Sequence, residues 1–209
     1  LVHESLIWRQ LWHPNVVPFL GVCYIHNRLN LISPWIENGN FREFLNKNPD
    51  TNRFSLILDV ALGLQYLHEQ NVIHGNSKGM QSNILITASH RACISNFGLS
   101  LIVNETVTMC RISGVSHCRF WYILPTKWFR YFLHLSDTNA ITQILTGEVP
   151  INSFPDMALM FEFREGKHPP RPTECSGTKV LDNLWQLMED CWNVNAELRP
   201  TAPQIVERL

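Results

Sequence analysis

The sequence predicts an α+β fold, mainly helical, with small antiparallel strand pairs set among the helices. Apolar residues recur at Phe54, Ile57, Leu58, Ala61, Leu64 and Leu67, the spacing of one helix face, so a long helix runs to about Gln70. Residues 16–24 and 29–35 read as strands around the turn Ile25-His26-Asn27-Arg28, and residues 84–86 and 92–94 as strands about Ala88-Ser89-His90. The last third is mostly helical. At 209 residues the chain fits one large domain or a domain and a fragment, and its 45% hydrophobic content is ample for a core.

The first element carries Leu6, Ile7, Trp8 and Leu11 at near-helical spacing and is ended by His13-Pro14-Asn15. Glu37-Asn38-Gly39-Asn40 is a turn before a short helix at 41–45. A helix at 156–164 closes on Gly166, and 168–172 is an extended, proline-rich linker. Leu181, Leu184, Leu187, Met188 and Cys191 form a core-facing stripe, with Trp185 and Trp192 also assigned to the core. Thr201 followed by Gln204 has the form of a capping box opening a final helix. Between 109 and 132, seven aromatics crowd in with cations and no period: Phe120, Trp121, Tyr122, Trp128, Phe129, Tyr131 and Phe132. This is either an aromatic-lined binding surface or a stretch without selected structure, and the missing periodicity favours the second.

A formal net charge of -1 provides no global field toward nucleic acid or an anionic membrane, so neither is expected as a partner. No apolar run reaches spanning length, and Leu1-Val2-His3-Glu4 does not read as a signal peptide. Six scattered cysteines show neither metal-type pairs nor a disulfide framework, which suits a reducing, cytoplasmic setting. Asn104-Glu105-Thr106 is then an incidental glycosylation match. The histidines lack zinc spacing, and no Ser-His-Asp or Cys-His couple is signalled.

The chemistry concentrates near the middle. Val72-Ile73-His74-Gly75-Asn76-Ser77-Lys78 runs on to Asn83-Ile84-Leu85-Ile86, and Asn96-Phe97-Gly98-Leu99 follows. A carboxylate at 76 could accept a proton, and one at 96 could hold a divalent cation. Asparagine stands at both, with nearly the same shape and no charge.

These motifs resemble the eukaryotic protein-kinase signature, H-R-D-L-x-x-x-N followed by D-F-G. The resemblance extends through Glu4 and His13-Pro14-Asn15, similar to the αC helix and its exit, and through Ser33-Pro34-Trp35-Ile36-Glu37-Asn38-Gly39, similar to the hinge. Cys191-Trp192 and Leu198-Arg199-Pro200-Thr201 resemble the end of a tyrosine-kinase-like catalytic domain. The implied layout is a partial kinase-like domain over 1–209: a small-lobe remnant at 1–35, a large lobe at 36–209, and a divergent activation segment at 105–145.

The resemblance also implies roles. Asn76 takes the place of the base that accepts the substrate hydroxyl proton, and an amide forfeits that assistance, about 100- to 10,000-fold. Asn96 takes the main magnesium position, where a neutral carbonyl is a poorer ligand than an anionic oxygen. Lys78 matches the lysine that steadies the transferred phosphate. Asn83 matches the metal-binding asparagine by its strand context, whereas family spacing points to Gln81, so two extra residues lie within 79–82. Glu4 would pair with a small-lobe lysine; that lysine and the glycine-rich loop are expected to be missing. Ser33 takes the gatekeeper place, and Pro34 and Ile36 offer backbone groups to an adenine edge. His74 and Phe97 belong to an apolar spine with Trp8 and Phe19. Leu124-Pro125-Thr126 is a shadow of A-P-E, leaving Arg199 without its usual glutamate. ATP and Mg2+ are the family's cofactors, weakly served here. The implied function is a silent pseudokinase with a protein partner. The alternatives are a piece of an active Ser/Thr-type kinase, or a decaying copy with no function.

Overall fold

Prolines decide where the first strand pair begins and ends. The computed structural model describes residues 1–74, 80–98, 100–102, 141–142, 144–145, 171, 179–193 and 195–209. After helix α1 (Val2–Trp8), strand β1 (Gly21–Ile25) pairs antiparallel with β2 (Arg28–Ile32), Gly21 opposite Ile32 and Ile25 opposite Arg28. Both strands are shorter than the expected 16–24 and 29–35. Pro18 cannot donate to a ladder, and the residues before it turn elsewhere: Val17 N donates to the Ile94 carbonyl at 2.9 Å. Pro34 closes β2 in the same way. At the connecting turn His26 and Asn27 take φ of 49° and 59°, the left-handed pair that a two-residue hairpin requires and that Asn and His tolerate better than most residues.

Two further pairs place the central motifs. Strand β4 (Ile84–Ile86) is antiparallel to β5 (Ala92–Ile94), and β3 (Val72–Ile73) is antiparallel to β6 (Leu101–Ile102). The β3–β6 pair ties the residues before His74 to those after Ser100. Helix α2 (Phe41–Lys47) is capped by Asn40, whose side chain accepts from Glu43 N at 3.0 Å, and buries Phe41, Phe44 and Leu45.

Helix α3 (Arg53–Glu69) was expected to show one apolar stripe. It is instead buried on most of its circumference, with Leu56, Asp59, Val60 and Gly63 joining Ile57, Ala61, Leu64 and Leu67. The reason is its central position: β5 packs on one side and the C-terminal helix on another. Gly63 permits the closest approach, since a methyl group there would lie 2.8 Å from the Asn15 carbonyl and 2.9 Å from Ile94 Cδ1. Arg53 reaches back to the carbonyls of Ile144 and Leu145.

The short helix α4 (Met80–Asn83) leads directly into β4. Helix α5 (Lys179–Cys191) buries Leu184, Leu187, Met188 and Cys191 as the stripe requires, while Leu181 is half-buried. Trp185 and Trp192 are core, edge to face at 5.5 Å. A 3-10 turn (Ala196–Leu198) precedes α6 (Ala202–Arg208), which opens with the expected Thr201–Gln204 capping box. Arg199 is buried and donates from Nε to the Asn193 carbonyl at 2.7 Å. The 109–132 aromatic stretch, the 124–126 shadow motif, the helix at 156–164 with Gly166, and the linker apart from Arg171 lie outside the described residues. Among the described residues no helix is long and apolar enough to cross a membrane.

Burial sets an acid limit on this fold. It lowers the pKa of His68 on α3 from 6.5 to about 4, and pushes those of His13 and His74 down as well. Between pH 6.5 and 4 the unfolded chain therefore binds a proton at position 68 that the folded chain refuses. Stability is full above pH 6.5 and falls as the pH drops toward 4. His68 alone is expected to cost about 1–2 kcal/mol between pH 7 and pH 5. Thermal unfolding across this range, in the parent chain and in His68→Gln, checks it: the variant should lose part of the slope.

Candidate functional site

The centre of the site is a stack of rings. Trp8 on α1 donates from Nε1 to the Val17 carbonyl at 2.6 Å, which fixes its indole. Phe19 lies against it at 5.4 Å between centroids, and Phe97 at 5.7 Å on another side. His74 meets Phe97 edge-on at 5.5 Å. The four residues read from sequence as a spine are thus in consecutive contact. Burial lowers the His74 pKa, an effect partly offset by backbone hydrogen bonds, among them His74 Nε2 with the Ser95 carbonyl at 2.9 Å. The ring is a neutral packing element rather than an acid or base.

The polar part borders this stack. Asn96 takes φ 66°, a left-handed conformation in which asparagine is among the less strained side chains. From there its Nδ2 donates to Asn83 Oδ1 at 3.0 Å, and Ser82 Oγ approaches the same oxygen at 3.3 Å. Asn83 is 0% exposed, and its backbone carbonyl receives both Ser95 N and Ser95 Oγ, at 2.7 and 3.0 Å. Glu4 on α1 is half-buried and faces the same corner. A Cβ added to Gly98 would sit 3.7 Å from Glu4 Oε2 and 3.5 Å from Asn96 Oδ1. Glu4, Asn83 and Asn96 are therefore brought to one corner by α1, the α4–β4 junction and the segment after β5.

The hinge residues form a second group. Ser33, Pro34 and Ile36 are half-buried on the chain between β2 and α2, and the Ser33 hydroxyl is 3.4 Å from the Pro34 carbonyl. Trp35 between them is 85% exposed. Among the described residues no hydrogen bond or ring contact joins the hinge to the Asn83–Asn96 corner. Asn76 and Lys78 fall in 75–79, outside the described residues, as does the side chain of Gln81.

With this geometry in view, similarity to known proteins is decisive. The profile of the protein tyrosine and serine/threonine kinase family matches residues 1–209. The chain belongs to that family. It is 27% identical to the serine/threonine-protein kinase STY17 of Arabidopsis thaliana, over 99% of this chain and 36% of that protein. It is 28% identical to the dual specificity protein kinase shkC of Dictyostelium discoideum, over 99% of this chain and 42% of that protein. The human tyrosine-protein kinase ZAP-70 is 29% identical over the whole chain, which covers 34% of its length. The chain thus spans less than half the length of these relatives.

Kinases of this family generally use ATP with Mg2+. The described residues do not fit the ion. Asn83 and Asn96 are neutral, their amides are hydrogen-bonded to each other, and Asn83 Nδ2 is a buried donor that would oppose a cation. No three His, Cys, Asp or Glu side chains converge among the described residues. Among the described residues Glu4 alone supplies anionic oxygen at this corner, whereas magnesium seeks a near-octahedral oxygen shell.

Two parts of this kinase scaffold were missed in the sequence. One is Asp59, fully buried on α3, which accepts from Arg91 Nε at 3.0 and 2.8 Å and from Ala92 N at 2.9 Å. These bonds hold the Arg91 guanidinium above its ordinary pKa. The other is Tyr66, stacked on His13 at 4.9 Å and accepting from Trp12 N at 2.8 Å, which joins the exit of α1 to α3. A charged residue on the buried side of an apolar helix is a signal for the first. Nothing in the sequence marks the second.

Proposed function

We propose that this chain is a catalytically silent, tyrosine-kinase-like member of the family, a pseudokinase that binds a protein partner through its kinase surface and ATP at most weakly. The observation that carries this is the Asn96–Asn83 hydrogen bond: two neutral amides meet where phosphoryl transfer needs anionic oxygen to organise its metal. Asn76 extends the same loss to the proton acceptor, and the two extra residues within 79–82 put Lys78 out of step with Asn83. In this reading residues 1–35 belong to the small lobe, residues 36–209 form the large lobe and residues 105–145 a divergent activation segment. The setting is intracellular, and the near-zero net charge of -1 favours a protein partner over nucleic acid or membrane.

Incubation with labelled ATP, magnesium and a generic acceptor protein should give no transfer above background. Sustained turnover that Lys78→Ala abolishes would overthrow the reading. The second reading is a piece of an active ATP-dependent Ser/Thr kinase, favoured by the 36% and 42% shares of its relatives that the chain spans. The double substitution Asn76→Asp with Asn96→Asp separates the two. Activity should stay absent in it if the extra residues matter as argued, and its return supports the active parent.

A further inference from the structure

The Asn83–Asn96 pair sits between two segments that are themselves firmly tied. On one side, Asn83 ends α4, begins the turn into β4 and receives both hydrogen bonds of Ser95. On the other, Phe97 is fully buried between Trp8 and His74, Ser100 N donates to the Phe97 carbonyl at 3.0 Å, and Ser100 Oγ donates to the His74 carbonyl at 3.1 Å. Asn96 is the single residue between Ser95 and Phe97, and its left-handed backbone turns its amide onto Asn83 Oδ1. A carboxylate at 96 would present oxygen to that oxygen and need a cation between them, or a reversal of Asn83. An amide presents N–H and needs neither. Among the described residues Asn83 Nδ2 has no partner, so contacts through its oxygen alone hold this buried amide.

We propose that the Asn83–Asn96 hydrogen bond is a built-in clasp that bridges positions 83 and 96 without a cation, so that the Trp8–Phe97–His74 stack stands assembled in the ligand-free chain and is indifferent to Mg2+ and Mn2+. The proposal rests on the same two amides as the proposed function but is read out without phosphotransfer. Turnover in the kinase assay would leave it standing, and its own failure would leave the silent reading intact.

The test is amide hydrogen exchange over residues 97–100, with and without MgCl2 or MnCl2, in the parent chain, Asn96→Gly and Asn96→Asp. Glycine keeps the left-handed backbone and removes the amide. The parent should be protected and unaffected by either ion. Asn96→Gly should exchange about tenfold faster in this segment, also without response to ions. Asn96→Asp should acquire a dependence on Mn2+ that the parent lacks. Unchanged exchange in Asn96→Gly overturns the clasp. So does parental protection that rises with Mn2+.

Discussion

Arg91→Met is expected to destabilise the chain by about 2–3 kcal/mol, although Arg91 lies at the surface. The cause is its partner. Asp59 is 0% exposed, and without the guanidinium its carboxylate keeps only the Ala92 N–H among its described partners. Loss of one member of a fully buried pair costs roughly 3–5 kcal/mol, and the 57% exposure of Arg91 puts this case lower, because water can enter where the side chain leaves. Replacing both, Asp59→Leu with Arg91→Met, should recover only part of the loss, since no buried charge then remains but the Ala92 N–H loses its acceptor. The residual cost is the orphaned Ala92 N–H, about 1–3 kcal/mol. Urea unfolding of the two variants against the parent decides it. A double variant no more stable than Arg91→Met would show that packing around α3, not the unpaired carboxylate, sets the cost.

Phe97→Ala should cost about 3–5 kcal/mol, enough to threaten folding in a chain of ordinary stability. Phe97 is 0% exposed and its ring touches both Trp8 and His74, so alanine leaves a void between α1 and the β3 end and removes two aromatic contacts. Phe97→Leu retains much of the volume and should lose less, about 1.5 kcal/mol. Thermal unfolding of the two variants measures the difference. Losses below about 1 kcal/mol for the alanine variant would mean that the neighbouring segments close over the gap, which the close packing of this core argues against.

Much of the architecture was legible because it is periodic or punctuated. The α5 stripe, the Thr201–Gln204 box and the Asn40 turn are local signals whose physics lies within a few residues, and each appears where the pattern puts it. The spine was also legible, but through the resemblance of Trp8, Phe19, His74 and Phe97 to family positions, since nothing in their spacing brings them together. The lengths of β1 and β2 were not legible. Val16 and Val17 have the composition of a continuing strand, and only the position of Ile94 across the fold draws them to β5. The stripe on α3 was read too narrowly for a related reason: periodicity reports one buried face, and this helix has neighbours on several.

The amino-acid sequence by itself determined the family and the identity of the amides at 76, 83 and 96, and hence that none of these three side chains carries a charge. Those are properties of single residues and short motifs, which a sequence carries in full. Tertiary structure alone decided that Asn96 donates to Asn83, that Glu4 turns toward Gly98, and that Asp59 is neutralised by a residue 32 positions away. Hydrogen bonds and ion pairs depend on distances of a few ångströms between groups remote in the chain, and such distances exist only once the core has closed.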